Sequence, residues 1–112
     1  MGHQNNIFQL PNALPKAIDS EIFEDVFNNG KIKIERIVST GQITPNNEWY
    51  DQAQQEWVLL LQGKATLLFD NENGTKIHLQ TGDYLLIPAH KRHRVIFTSK
   101  EPPCIWLAIF FD

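Results

Sequence analysis

Apolar positions fall along this chain in short, evenly spaced segments. From Lys31 onward Ile32, Ile34 and the pair Ile37 and Val38 interleave with Lys33, Glu35 and Arg36 until Gly41 ends the run. A period of two over such a stretch is the mark of a half-buried strand. Further apolar segments follow at 56–61, 65–69, 76–79, 84–87, 93–97 and 105–111. Between them stand Gln62-Gly63, Asn71-Glu72-Asn73-Gly74, Thr81-Gly82, residues 88–92 and Pro102-Pro103. Glycine and asparagine tolerate positive φ and proline fixes a bend, so these separators are turns. About eight short strands with no long helix predict an all-β sandwich or barrel.

The first part of the chain is less regular. Residues 1–20 are polar and carry Pro11 and Pro15, which predicts an irregular arm with one short strand at Ile7–Leu10. His3 in this arm carries no assignable role. Residues 20–28 fit a helical face through Ile22, Phe23, Val26 and Phe27, yet Asn28-Asn29-Gly30 suits a hairpin turn; a strand or a single helical turn is the expectation. The chain thus divides into an arm and edge segment, 1–30, packed on a barrel, 31–112. The segment at 56–61 is apolar on both sides, with Val58 and Leu60 facing one way and Trp57, Leu59 and Leu61 the other. In an antiparallel protein one face normally meets water, so the second must be covered by the arm or another subunit; a homodimer is expected.

Composition narrows the function classes. At 112 residues the chain is long enough for one domain with a real core. Ten Lys and Arg against thirteen Asp and Glu give a formal charge of -3, which opposes binding to nucleic acid or anionic membranes. The basic cluster at 91–94 reads as a solvated loop, or as Arg92 or Arg94 favouring an anionic ligand at a pocket mouth. The one cysteine, Cys104, excludes an intrachain disulfide and sits in an apolar run as a small buried hydrophobe, which fits a cytoplasmic setting. No signal-like segment or bilayer-length apolar stretch is visible. Phosphate-cradling glycine loops, paired zinc-ligand spacings and nucleophile elbows are also missing from the sequence.

Two stretches carry the chemistry. In the first, Glu56 is followed after six residues by Gly63; in the second, Gly82 is followed after five residues by Pro88, and then by His90 and His93. The order and separation resemble the two signature motifs of the cupin family, and the resemblance spans residues 31–111. It implies a cupin double-stranded β-helix, or jelly-roll barrel. In that family the first motif gives two histidines and a glutamate, and the second one histidine, to a divalent metal. Here the two histidine positions fall on Tyr50 and Gln52, or in the alternative register on Trp49 and Asp51. The second motif's central glycine is His90 and its final asparagine is Phe97.

The resemblance implies Gln52, Glu56 and His93 as ligands of Fe, Mn, Ni or Zn, with Tyr50, Asp51 and His90 about the pocket. It also implies a small polar organic molecule as ligand or substrate of an oxygenase, isomerase or decarboxylase. Imidazole is a good ligand for these metals, whereas a glutamine offers a weak carbonyl oxygen and a tyrosine binds chiefly as phenolate. The alternative is a non-catalytic binding or sensing cupin that has lost its metal. Blander readings stand beside both. Glu56 could pair with Arg36, Arg92 or Arg94, His93 could be a neutral core histidine bonded to Tyr84 or a backbone carbonyl, and His90 could face solvent. Val95 and Phe97, in phase with His93, are expected to floor the pocket, and His78 to lie on the surface.

Overall fold

A computed structural model describes residues 4–16 and 19–112. Its strands are β1 (Ile22–Asn28), β2 (Lys33–Ser39), β3 (Gln55–Gln62), β4 (Lys64–Phe69), β5 (Lys76–Gln80), β6 (Tyr84–Ile87), β7 (His93–Thr98) and β8 (Cys104–Phe111). They form a five-stranded sheet in the order β1-β2-β8-β3-β6 and a three-stranded sheet in the order β5-β4-β7. Every pairing is antiparallel, and the two sheets make the expected all-β jelly-roll barrel.

The core follows from alternation. Val58 and Leu60 of β3, and Cys104, Trp106 and Ala108 of β8, point inward and are buried against Leu67 and Phe69 of β4. Cys104 is the small core residue expected, its thiol directed at the Lys64 carbonyl. At the β3–β4 hairpin Gly63 has φ 99°, and a Cβ there would lie 2.8 Å from Ser99 Oγ and 2.9 Å from Cys104 Sγ, so only glycine fits.

Residues 20–28 resolve as strand: Ile22–Asn28 is the edge strand β1, paired along β2. The hydrogen-bonding register with β2 outweighs the helical spacing of its apolar residues. The strand expected at Ile7–Leu10 does not form. That stretch turns on Asn6, whose carbonyl accepts from Gln9 N and whose side chain accepts from Phe8 N. Arg36 holds it: Nη1 donates to the carbonyls of Ile7 and Gln9, at 3.1 and 2.7 Å, while Nε and Nη2 donate to Glu24. His3 lies outside the described residues.

The alternation in β2 runs opposite to the usual sense. Lys33, Glu35 and Ile37 face the barrel interior, and Ile34 joins an outer row that continues through Ile109 and Trp57 to Leu86. The charged positions of this strand are therefore interior, and they stand at the end of the barrel that is hollow.

Candidate functional site

One transverse row of the large sheet sets the floor of the hollow end. Lys33 lies opposite Phe110, Phe110 opposite Glu56, and Glu56 opposite Ile87. Glu56 is the second residue of β3, so its side chain enters the barrel where the apolar packing of Val58 and Leu60 has not yet closed it. From the small sheet, His93 begins β7 beneath it. Between the two, the chain at Tyr50 forms a two-way bridge to His93, with Tyr50 N donating to His93 O at 2.8 Å and His93 N to Tyr50 O at 3.1 Å. His90 N donates to Gln52 O at 2.7 Å, extending the same clamp by two residues. Side chains alternate along an extended segment, so Tyr50 and Gln52 share the inward side and Asp51 takes the other.

A cavity of about 260 Å³ results. Its apolar wall includes Val58, Leu67, Ile87, Val95, Trp106 and Phe110, and its polar groups are Tyr50, Gln52, Glu56, His93, Glu21 and the β2 pair Lys33 and Glu35. Gln52 Nε2 donates to Glu56 Oε1 at 2.9 Å. His93 Nδ1 lies 2.9 Å from the Lys91 carbonyl. A carbonyl only accepts, so Nδ1 carries the proton and Nε2 presents its lone pair in the neutral ring. That nitrogen stands 3.7 Å from Glu56 Oε1, beyond a hydrogen bond, in a side chain 6% exposed. Burial pushes the Glu56 carboxyl above its ordinary value, opposed by the Gln52 hydrogen bond and by His93.

Glu21 enters from just before β1. The Ser39 hydroxyl donates to its carboxylate, and Trp106 Nε1 donates to Ser39 Oγ at 3.2 Å, so the acid is held by a relay from the core. Burial raises its pKa too. Tyr50 is likewise pushed up, first by burial and then by the charge of Glu21, which keeps the phenol protonated. Lys33 Nζ pairs with Glu35 at 3.2 Å and sits 5.0 Å from the centre of the Phe110 ring.

The structure thus selects the register in which Tyr50 and Gln52 occupy the two histidine positions of the first motif. Asp51 and His90 lie outside the cavity lining: His90 Nδ1 and Asp51 Oδ1 pair at 2.8 Å, with side chains 70% and 48% exposed. His90 has φ 61°, the left-handed conformation that explains a glycine at that motif position, and the Asp51 contact helps a histidine to hold it. The alternative reading in which Glu56 pairs with an arginine is not found. Arg36 is spent on Glu24 and the arm, Arg92 pairs with Asp70 at 3.0 Å, and Arg94 stacks on Trp49. Neither Arg92 nor Arg94 lines the cavity, which removes the basis for an anionic ligand at its mouth. Phe97 is 49% exposed, because a bulge between Val95 and Phe97 reverses the alternation of β7; Val95 remains a lining residue. His78 is exposed, 3.1 Å from Thr66 Oγ1.

Glu21, Lys33 and Glu35 were not foreseen as site residues. The alternation of β2 carried a signal for two of them, but an alternating strand does not say which of its faces is interior. Glu21 lies in the segment of ambiguous period and carried none.

A cupin-domain family model matches residues 36–110. The chain belongs to the cupin family. This cupin is similar to a crystal structure from Ralstonia eutropha JMP134, provisionally named a mannose-6-phosphate isomerase, at 36% identity over 99% of each chain and a TM-score of 0.86. A cupin superfamily protein of Desulfitobacterium hafniense DCB-2 matches at 23% identity, covering 98% of this chain and 100% of that one, with a TM-score of 0.67. An RmlC-like cupin from Desulfovibrio desulfuricans matches at 18% identity over 96% and 97%, with a TM-score of 0.66. No curated protein matches the sequence.

A resident divalent metal ordinarily takes three or four protein donors. Two strong donors stand together here, the Glu56 carboxylate and His93 Nε2, while the Glu21 and Glu35 carboxylates line the same cavity without grouping with them. Gln52 turns its NH₂ to Glu56, and Tyr50 is held in the phenol form that binds metals poorly. Among the described residues no group of three or more His, Cys, Asp and Glu stands together. The donor set does not fit a resident Fe, Mn, Ni or Zn ion.

Proposed function

We propose that this cupin binds a small organic molecule directly, with Glu56, His93, Gln52 and Tyr50 as its polar recognition set and no resident metal. The observation that carries the reading is His93 Nε2, which belongs to a buried side chain, makes no hydrogen bond and faces the cavity beside the buried Glu56 carboxyl. Buried polar groups are rarely left without a partner, and a cavity with a few convergent polar groups is the usual form of a ligand site. At about 260 Å³ the space suits a compact ligand. Its apolar body would contact Ile87, Val95 and Trp106. Its hydrogen-bonding head would meet Glu56, which accepts when ionised and donates when protonated, and His93 Nε2, which accepts in the neutral ring.

The name borne by the Ralstonia relative raises the sugar-phosphate isomerase reading, and the cavity's charge speaks against it. Its one lysine is paired with Glu35, so three carboxyls line the cavity against a single lysine and no arginine. Two like charges about 5 Å apart repel by roughly 3 kcal/mol at an effective dielectric near 20, so a phosphate beside these carboxylates would be opposed.

A melting-temperature and NMR screen of small organic molecules tests the reading. Ligands that bind the parent should persist in excess EDTA and weaken by about tenfold in His93→Ala or Glu56→Gln, the scale of a buried hydrogen bond to a charged group. Binding that appears only with added metal would contradict it.

A further inference from the structure

The cavity's charge says which molecules it takes. From the placement of Glu21, Glu56, Tyr50 and the surrounding rings we infer that its ligand is a small organic cation, an amine or ammonium with a compact apolar body, whose charged group lies beside Tyr50 between Glu21 and Glu56. This rests on the reading of the pocket as an organic-ligand site and adds the ligand's charge class.

Three observations carry it. First, Glu21, Glu35 and Glu56 line the cavity against Lys33 as the one lysine or arginine, and the Lys33–Glu35 pair leaves two carboxyls over. Glu21 is fixed by Ser39 and Glu56 by Gln52, both neutral hydrogen-bond donors; Lys33 and His93 offset part of the charge at Glu56, and no lysine or arginine does so at Glu21. Burial raises the pKa of both acids, and at Glu56 Lys33 and His93 offset only part of that rise. An incoming cation would supply the missing countercharge.

Second, the walls are aromatic. Phe23 and Tyr50 stand at the rim and Trp106 and Phe110 deeper, and ring faces attract ammonium groups. Lys33 already shows this recognition: its ammonium lies between a carboxylate at 3.2 Å and the Phe110 ring, 5.0 Å from the centroid. Third, the approach is acidic. A more open depression of about 430 Å³ adjoins the cavity, sharing Glu21, Phe23 and Tyr50, and adds Asp19, with no lysine or arginine among the described residues of its lining. The unpartnered His93 Nε2, a lone-pair acceptor in the neutral ring, points independently to a ligand that donates hydrogen bonds, as an ammonium does.

The experiment is an NMR titration of the full chain with benzylamine, benzyl alcohol and benzoate, which share one body and differ in charge. Benzylamine should bind at Tyr50 and Trp106 about tenfold or more tightly than the alcohol, as expected when a buried charge gains its partner, with benzoate weakest. In Glu21→Gln, which keeps an acceptor for Ser39, that preference should shrink to about threefold or less. The charge series on the unaltered chain decides the question even if the variant folds poorly. Equal binding of amine and alcohol, or tighter binding of benzoate, overturns the cationic ligand; if that binding is still lost in His93→Ala, the pocket reading survives without it. No response to any of the three overturns both.

Discussion

At the scale of single residues, the site turns on one buried carboxyl, Glu56, and one half-buried, Glu21. Because burial raises the pKa of Glu21 and Glu56 in the folded chain, the native state holds these protons more tightly than the unfolded state. Between the ordinary value of 4.5 and the raised values the native state therefore binds more protons, and stability falls as pH rises through that window. The groups facing them are Ser39 at Glu21, and Gln52, His93, Glu35 and Lys33 about Glu56. Denaturant titrations from pH 4.5 to neutrality should show a decline in the parent that is visibly smaller in a Glu21→Gln, Glu56→Gln variant. An equal decline in both would mean that these acids are not strained by burial.

At the scale of elements, the strands were legible because turn residues bound nearly every one: Gly63, Gly74, Gly82 and Pro88 each end or separate a segment, and strand lengths follow. Glu56, His93, Tyr50 and Gln52 were legible through motif spacing, which places them on one mouth of the barrel. What could not be read was orientation. β2 alternates as a half-buried strand should, yet its charged side is interior, because the barrel is hollow there and its outer side is apolar. Likewise the bulge in β7 turns Phe97 outward, a change of phase set by pairing with Thr66 and Leu67 rather than by any residue of β7 itself. Arg92 and Arg94 lie near the site in sequence but fold onto Trp49, at 5.6 and 5.7 Å from its ring. The arm's strand was lost to Arg36, whose hydrogen bonds pin the backbone of Ile7 and Gln9 from the side.

At the scale of the whole molecule, the outer face of the large sheet is the feature the single chain leaves unexplained. Trp57, Leu59, Leu107 and Ile109 are only half-buried there, Tyr84 and Leu86 are 65% and 46% exposed, and the Trp57 and Tyr84 rings meet at a tilt with centroids 5.4 Å apart. The arm is tied to the β1–β2 side through Arg36. A flat apolar face of this kind is what a homodimer buries, and its row from Ile34 to Leu86 could meet the same row of a second copy. Sedimentation should give a dimer at micromolar concentration, and Ile109→Lys, which sets a charge in the middle of the row, should give a folded monomer. A monomeric parent would contradict the homodimer.

The most direct test of the account is elemental analysis by plasma mass spectrometry. Protein purified without a metal-affinity tag would be incubated with Fe(II), Mn(II), Ni(II) and Zn(II), desalted, and compared with a Glu56→Ala, His93→Ala variant. Two strong donors without a third predict metal far below one equivalent per chain, equal in parent and variant. Near-stoichiometric metal in the parent, lost from the variant, would contradict the account and make Glu56 and His93 ligands of a metal centre.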